Sequence, residues 1–87
     1  MPHVDADPQS LRDVRAALTR CQNDIDKSLA SVRSTVKSAH WNDDRRRQFD
    51  RDLEGLLGQI STFSRKADDL KSYLGRKADE LDRFLSH

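Results

Sequence analysis

Histidines, acidic residues and one cysteine are the side chains of this 87-residue sequence with the clearest potential for chemistry. The histidines are His3, His40 and His87, one near each terminus and one near the middle. Zinc sites typically draw ligands from pairs only a few residues apart, and this spacing resembles none of them. The sequence therefore predicts no metal site, and we interpret His40 as a turn residue.

The acidic residues of the carboxyl-terminal third lie among lysines and arginines at helical spacing. They are Asp68, Asp69, Asp79, Glu80 and Asp82. Opposite charges three or four residues apart pair on a helix surface, so this pattern predicts a solvated, ion-paired face rather than catalytic carboxylates. The sequence has no Gly-rich phosphate loop, and no serine has a base at a meaningful spacing. We predict no enzyme activity, no catalytic residue and no cofactor.

Cys21 is the single cysteine, so it cannot form a disulfide within the chain. It falls in the apolar stripe of the first predicted helix, where we expect a small buried hydrophobic residue. An intermolecular disulfide and a reactive thiol are the alternatives.

A basic cluster, Arg45-Arg46-Arg47 with Arg51, lies in the first turns of the second predicted helix. Phosphate or an acidic partner would suit such a cluster. Four aspartates surround it, however, and the net charge of the chain is only +1. A nucleic-acid footprint concentrates one sign of charge on one face, so the sequence predicts no nucleic-acid binding.

Two long amphipathic helices must position these residues. The first is predicted over about residues 8–39, with Asp7 as N-cap and Pro8 at the first helical position. Its apolar residues recur three and four apart and form a stripe wider than a two-helix seam needs. This stripe contains Leu11, Val14, Leu18, Cys21, Ile25, Leu29, Val32 and Val36.

The second helix is predicted over about residues 43–85, with Asn42 or Asp43 as N-cap. Its apolar residues keep a heptad-like repeat for about five heptads. The predicted interface residues of this helix are Phe49, Leu53, Leu56, Ile60, Phe63, Leu70, Leu74, Leu81 and Phe84. Gly55, Gly58 and Gly75 lie inside it, where we expect close approach of a neighbouring helix or, alternatively, a bend at Gly55–Gly58.

No segment shows strand-like alternation, so the predicted fold is all-α: one domain, residues 1–87, forming a two-helix antiparallel hairpin. The elbow covers residues 40–43, and we expect the ring of Trp41 to close it. The second helix should overhang the first by roughly three turns and expose Leu74, Leu81, Phe84 and Leu85. An uncovered apolar stripe predicts a partner hairpin, with a four-helix bundle as the product.

Neither a membrane span nor a signal peptide is predicted. No stretch approaches the roughly 18 apolar residues of a transmembrane helix, so we expect no membrane insertion. The first seven residues lack the basic and apolar regions of a secretory signal. Any export would have to use a route without such a peptide.

The hairpin with a lone tryptophan at its elbow resembles the WXG (ESAT-like) family of small proteins linked to type VII secretion. The resemblance rests on Trp41-Asn42-Asp43 followed by Phe49 and the heptad repeat, and it covers about residues 8–85. The family motif reads Trp-any-Gly, so Asp43 stands where glycine is usual. The family's export signal is a tyrosine followed four residues later by an acidic residue, whereas Tyr73 is followed by Lys77.

The resemblance implies a non-enzymatic protein-interaction module: a secreted substrate, a co-effector, or an adaptor or chaperone that stays in the bacterial cytoplasm. Because the chain lacks the export signal, a partner would supply it. That partner is a second copy or a different helical hairpin, such as the helical N-terminal region of a larger effector. The alternative is a generic helical-hairpin scaffold, or a self-assembling subunit of a secretion apparatus unrelated to type VII secretion.

Overall fold

The computed structural model describes residues 5–86 as two helices. Helix α1 covers Pro8–Ser38 and helix α2 covers Arg45–Leu85, and they form an antiparallel hairpin of 67 × 20 × 15 Å. The predicted all-α hairpin is confirmed. Two of the histidines considered above, His3 and His87, lie outside the described residues. Of the seven N-terminal residues in which no secretory signal is predicted, the first four also lie outside them.

Helix α1 begins at the predicted N-cap. The carboxylate of Asp7 accepts hydrogen bonds from the backbone N–H groups of Gln9 and Ser10, at 3.4 and 3.3 Å. Pro8 occupies the first turn and is buried. A capping carboxylate satisfies N–H groups that have no partner inside the helix, which explains why the helix starts here.

Helix α2 begins two residues later than predicted. Its N-cap position is Asp44, whose side chain makes no capping hydrogen bond. The carboxylate of Asp43 takes that role instead, because its Oδ1 accepts the backbone N–H of Arg45 at 3.0 Å. The elbow therefore covers residues 39–44 rather than 40–43.

The cross-helix contacts fix the register of the hairpin. Arg12 contacts Asp79, and Gln22 contacts Asp68. Each step forward along α1 therefore matches about one step back along α2, which places the start of α1 beside the last turns of α2.

The predicted three-turn overhang of α2 is wrong. Leu81 is only 8% exposed because it packs beside the start of α1, and Leu74 is half-buried. The extra length of α2 lies mainly at the elbow end, where Trp41 packs on Phe49 in place of α1. The prediction assumed that both helices start level at a tight elbow, whereas the elbow residues cover the first turns of α2. Phe84 and Leu85 remain exposed at the free end.

The buried core of the described chain is small. Its apolar members are Ala67, Ala78 and Leu81, all on α2. The inward residues of α1, such as Leu18 and Ile25, are only half-buried. Two helices alone cannot enclose each other's side chains, so most of the apolar surface of this hairpin stays in contact with water.

Gly55 and Gly58 do not mark a close approach within this chain. No neighbouring atom lies within 4 Å of the position that a Cβ would take at either residue. Helix α2 also continues without a break through both glycines. The expected close approach within the hairpin is therefore wrong for Gly55 and Gly58. At Gly75, Nε of Arg15 on α1 lies 3.8 Å from the position that a Cβ would take, which is an ordinary van der Waals distance.

Candidate protein-interaction site

One side of the hairpin is joined by polar contacts between the helices, and we call it the polar side. On α1 it contains Arg12, Thr19 and Gln22, whose side chains hydrogen bond to α2. Their partners on α2 are Ser64, Asp68, Lys71, Asp79 and Asp82.

Gln22 makes the densest of these contacts. Its Nε2 donates to the backbone oxygen and the hydroxyl of Ser64, each at 3.1 Å, and to Oδ1 of Asp68 at 2.9 Å. Asp68 also pairs with Lys71 at 3.4 Å. The hydrogen bond from Gln22, followed by that from Lys71, lowers the pKa of Asp68 below its ordinary value. Both interactions favour the charged carboxylate.

Arg12 joins the free end of the hairpin. Its guanidinium pairs with Asp82 and with Asp79, the latter at 3.0 Å. Hydrogen bonds to these two carboxylates raise the pKa of Arg12 further above its ordinary value. The group stays charged at every pH at which proteins normally fold. Because all three side chains are substantially exposed, this network contributes mainly to register.

The opposite side of the hairpin is apolar. At about 100° per residue, Val14 and Cys21 lie on the flank of α1 that faces away from Thr19 and Gln22. Leu70 likewise lies on the flank of α2 that faces away from Lys71. Since the hydrogen-bonded flanks share one side of the hairpin, the two remaining flanks share the other. We call this the apolar side.

Large hydrophobic residues on the apolar side are exposed. Phe63 is 42% exposed and Leu70 is 55% exposed. The full exposed set on this side is Val14 and Val32 of α1 with Leu56, Phe63, Leu70, Tyr73 and Phe84 of α2. Leu56, Phe63, Leu70 and Phe84 share one heptad row, interrupted by Lys77. Such a row is typical of a helix that packs against a further helix.

The α1 half of the apolar side contains a groove of about 580 Å³. Small and aliphatic side chains form most of its wall. It is lined by Ala17, Arg20, Cys21, Asp24, Ile25, Ser28, Leu29 and Ile60. Cys21 is exposed here, so its predicted burial is wrong. The apolar stripe of α1 is wider than α2 can cover, and Cys21 lies on its uncovered flank.

Trp41 lies in a local cluster at the elbow and is half-buried. Its ring packs on Phe49 of α2, with centroids 5.1 Å apart and planes inclined by 50°. Its indole N–H donates to Oδ1 of Asp43 at 2.8 Å, the oxygen that also caps α2. One carboxylate thus links the tryptophan to the start of the helix. No described residue, whether glycine or not, has a positive φ, so the elbow does not require glycine at position 43.

Arg46 completes the elbow cluster. Its Nη1 donates to the carbonyl oxygen of Trp41 at 3.0 Å, and its Nε donates to Asp50 at 3.0 Å. Its Cζ lies 6.0 Å from the centroid of the Trp41 ring, at the limit of a cation–π contact. At least this arginine of the basic cluster therefore has a structural role.

The predicted interface residues divide into two groups. The inward group is half-buried or buried between the helices: Leu11, Leu18, Ile25, Leu29, Phe49, Leu53, Ile60, Leu74 and Leu81. The exposed group comprises Val14, Val32, Leu56, Phe63, Leu70 and Phe84. Of the predicted elbow residues, Trp41 and Asp43 are in direct contact, and Asn42 is exposed.

Sequence reasoning missed Gln22 and Arg12, which join the helices on the polar side. Gln22 shares a heptad row with Leu29 and Val36, which are both half-buried. A polar residue in an inward row was therefore the available signal, and a search for apolar residues alone passes over it.

In residues 5–86, no three potential ligands among histidine, cysteine, aspartate and glutamate cluster closely enough for a metal ion. Nor does either helix, over the same range, combine the length and apolarity of a membrane span. The exposed hydrophobic row and the adjacent groove make the apolar side the strongest candidate for function in the described chain.

Comparison with known proteins gives no match to any family model, curated protein or solved structure.

Proposed function

We propose that this protein is a non-enzymatic interaction module whose apolar side binds another helical hairpin. The observation that carries this proposal is the exposed heptad row Leu56, Phe63 and Leu70 beside the groove of α1. Covering such a row removes apolar surface from water, at about 25 cal/mol per Å². A four-helix bundle is the standard way for helical hairpins to achieve this.

The small core supports the same proposal. The buried hydrophobic core of the described chain has three residues, whereas eight large hydrophobic residues are at least 41% exposed. A hairpin with this balance gains little stability by itself and gains much more from a partner. On the polar side, by contrast, Arg12, Thr19 and Gln22 already have partners on α2 within the hairpin.

The resemblance to the WXG (ESAT-like) family extends the proposal to a cellular role. In this role the protein acts as a substrate, co-effector or adaptor of a type VII-like secretion system. The elbow cluster of Trp41, Asp43 and Phe49 is compatible with that resemblance, because the Asp43 carboxylate caps α2 without a glycine. Tyr73 lies within α2, so the export signal would come from the partner.

Photo-crosslinking in the source cells tests the interaction. Benzoylphenylalanine replaces Phe63 on the apolar side, and in a matched variant it replaces Arg65, an exposed residue on the outer face of α2. We expect the position 63 probe to capture a helical hairpin, either a second copy or another protein, and the position 65 probe to capture little. Equal capture at both positions, or none at position 63, would contradict the proposal.

The secretion role needs a separate measurement. Cells with an intact and a disabled type VII-like system would be compared for this protein and its crosslinked partner in the medium. We expect export of the partner, with or without this protein, to depend on the system. Export of neither protein would leave the helical scaffold as the better account.

A further inference from the structure

We propose that the hairpin on the apolar side is a second copy of this chain, related by a twofold axis parallel to the helices. In this arrangement the two elbows lie at the same end, and α1 of each copy packs on α2 of the other. The inference rests on the proposed function, and it adds the identity of the partner and the register of the interface.

Within one copy, the register places a row of small residues on α1 level with a row of large residues on α2. Cys21, Ser28 and Thr35 form the small row, seven residues apart. The contacts Gln22–Asp68 and Thr19–Lys71 place this row at the heights of Leu70, Phe63 and Leu56, respectively. A twofold axis parallel to the helices preserves height, so each small residue meets a large residue of the other copy.

The groove on α1 has the position that this arrangement requires. It extends along Cys21, Ile25 and Ser28, at the heights of Leu70 and Phe63 of the second copy. Large side chains of one helix would fill the space between small residues of its neighbour, as in knobs-into-holes packing. In the dimer, the exposed hydrophobic side chains of α2 in one copy thereby lie in the α1 groove of the other copy.

A second row supports the same pairing by charge. Asp24 lines the outer edge of the groove, and Lys66 lies at the same height on the outer edge of the α2 row. Neither takes part in an ion pair within the described hairpin. In the proposed dimer, Asp24 of each copy faces Lys66 of the other. Ala17 likewise meets Tyr73, which again pairs a small residue with a large one.

The alternative twofold axis, perpendicular to the helices, fits less well. It would pack α2 on α2 and α1 on α1. Phe63 and Leu70 would then crowd against large residues, while Cys21 and Ser28 would face other small residues across an unfilled groove. Dense packing disfavours both outcomes. The extents of the hairpin, 67 × 20 Å, leave room for the about 800 Å² per partner that stable dimers bury.

A disulfide test distinguishes these arrangements. The Leu70→Cys variant keeps native Cys21, and copper(II)–phenanthroline with oxygen serves as the oxidant. Disulfides require Cα atoms about 4.4–6.8 Å apart, so only facing positions react efficiently. We expect Leu70→Cys to give a reducible, covalent dimer in high yield. The wild type and the Asp69→Cys variant, whose new thiol lies on the outer face, should stay largely monomeric on a non-reducing gel.

Efficient crosslinking of wild-type Cys21 to itself, or equal crosslinking by Asp69→Cys, would overturn the proposed arrangement. Charge reversal supplies a second test that does not depend on a new thiol. Asp24→Lys and Lys66→Asp should each weaken dimerisation by about five-fold, and the two together should restore most of it. Additive losses in the double variant would contradict the predicted ion pair.

The outcomes also separate this inference from the proposed function. If the probe at Phe63 captures a different helical protein and Leu70→Cys gives no covalent dimer, the interaction module stands and the second copy is wrong. If the probe captures nothing and no dimer forms, both fail.

Discussion

The two sides of the hairpin differ in whether their side chains find partners within the chain. On the polar side, Gln22 and Arg12 reach across to α2 and satisfy its carboxylates within the chain. On the apolar side, Phe63 and Leu70 extend from α2 and reach no residue that buries them. The polar contacts set register at little gain in stability, since exposed ion pairs contribute at most about 1 kcal/mol. The apolar side offers the larger gain in stability to any partner that covers it.

The largest effect is expected from charges placed on the apolar side. Phe63→Glu combined with Leu70→Glu should weaken association more than 100-fold, because each buried carboxylate would lose its hydration without gaining a partner. Sedimentation equilibrium measures this loss. The matched control is Arg65→Glu with Ser72→Glu, which carries the same seven-residue spacing on the outer face. Equal weakening by both pairs would remove the distinction between the two sides.

Trp41 tests whether the elbow belongs to the fold or to the docking surface. Trp41→Ala should destabilise the hairpin by about 2 kcal/mol, since a half-buried ring loses its contact with Phe49. Trp41→Phe should retain the stacking and lose only the hydrogen bond to Asp43, at a cost of about 1 kcal/mol. Urea unfolding measures both values. If Trp41→Ala left stability unchanged but abolished association, the elbow would belong to the interface rather than to the fold.

Gln22 probes the polar side alone. Gln22→Ala should lower the free energy of unfolding by about 1 kcal/mol, because its hydrogen bonds to Ser64 and Asp68 are replaced by water. The affinity of the folded hairpin for its partner should not change. Asn23→Ala is the control, since this exposed neighbour makes no cross-helix hydrogen bond among the described residues. A loss of affinity with unchanged unfolding would be inconsistent with a purely intrachain role for this side.

The smallest effect is a pH dependence from Asp68. Hydrogen bonding lowers its pKa in the folded state below the ordinary 3.8. The associated stability is present above that ordinary value and disappears as the pH falls through the lowered one. Thermal melts at pH 7 should therefore show the wild type above Asp68→Asn, with the difference closing below about pH 4. A difference that persists at pH 2 would mean that the charge of Asp68 is not responsible.

Hydrophobic periodicity was sufficient to predict the two helices and the hairpin. The cap at Asp7 was also predictable, because an acidic residue before proline is a strong start signal. The register was not predictable, since it depends on how the elbow residues pack on the first turns of α2. At the elbow end, Trp41 covers the first turns of α2 by packing on Phe49. Helix α1 is therefore level with the later part of α2, where Leu81 is buried.

The apolar side was predictable only in part. The stripe of α1 is wider than one helix can cover, but its sequence does not show which flank faces α2. For this reason the burial predicted for Cys21 is wrong, and Gln22 was overlooked on the opposite flank. The polar contacts show which flank of each helix lies on the polar side. The heptad row of Leu56, Phe63 and Leu70 can then be placed on the opposite, apolar side.

Cys21 provides the most direct test that the apolar side is covered by a second copy. This single native thiol lies in the groove and is exposed in the isolated hairpin. The rate of its reaction with a maleimide would be measured over a wide range of protein concentration. Cys21→Ser with Asp69→Cys serves as the outer-face control. Protection of Cys21 that grows with concentration, with no change in the control, is the expected result. A Cys21 rate that stays as fast as the control at every concentration would contradict the account.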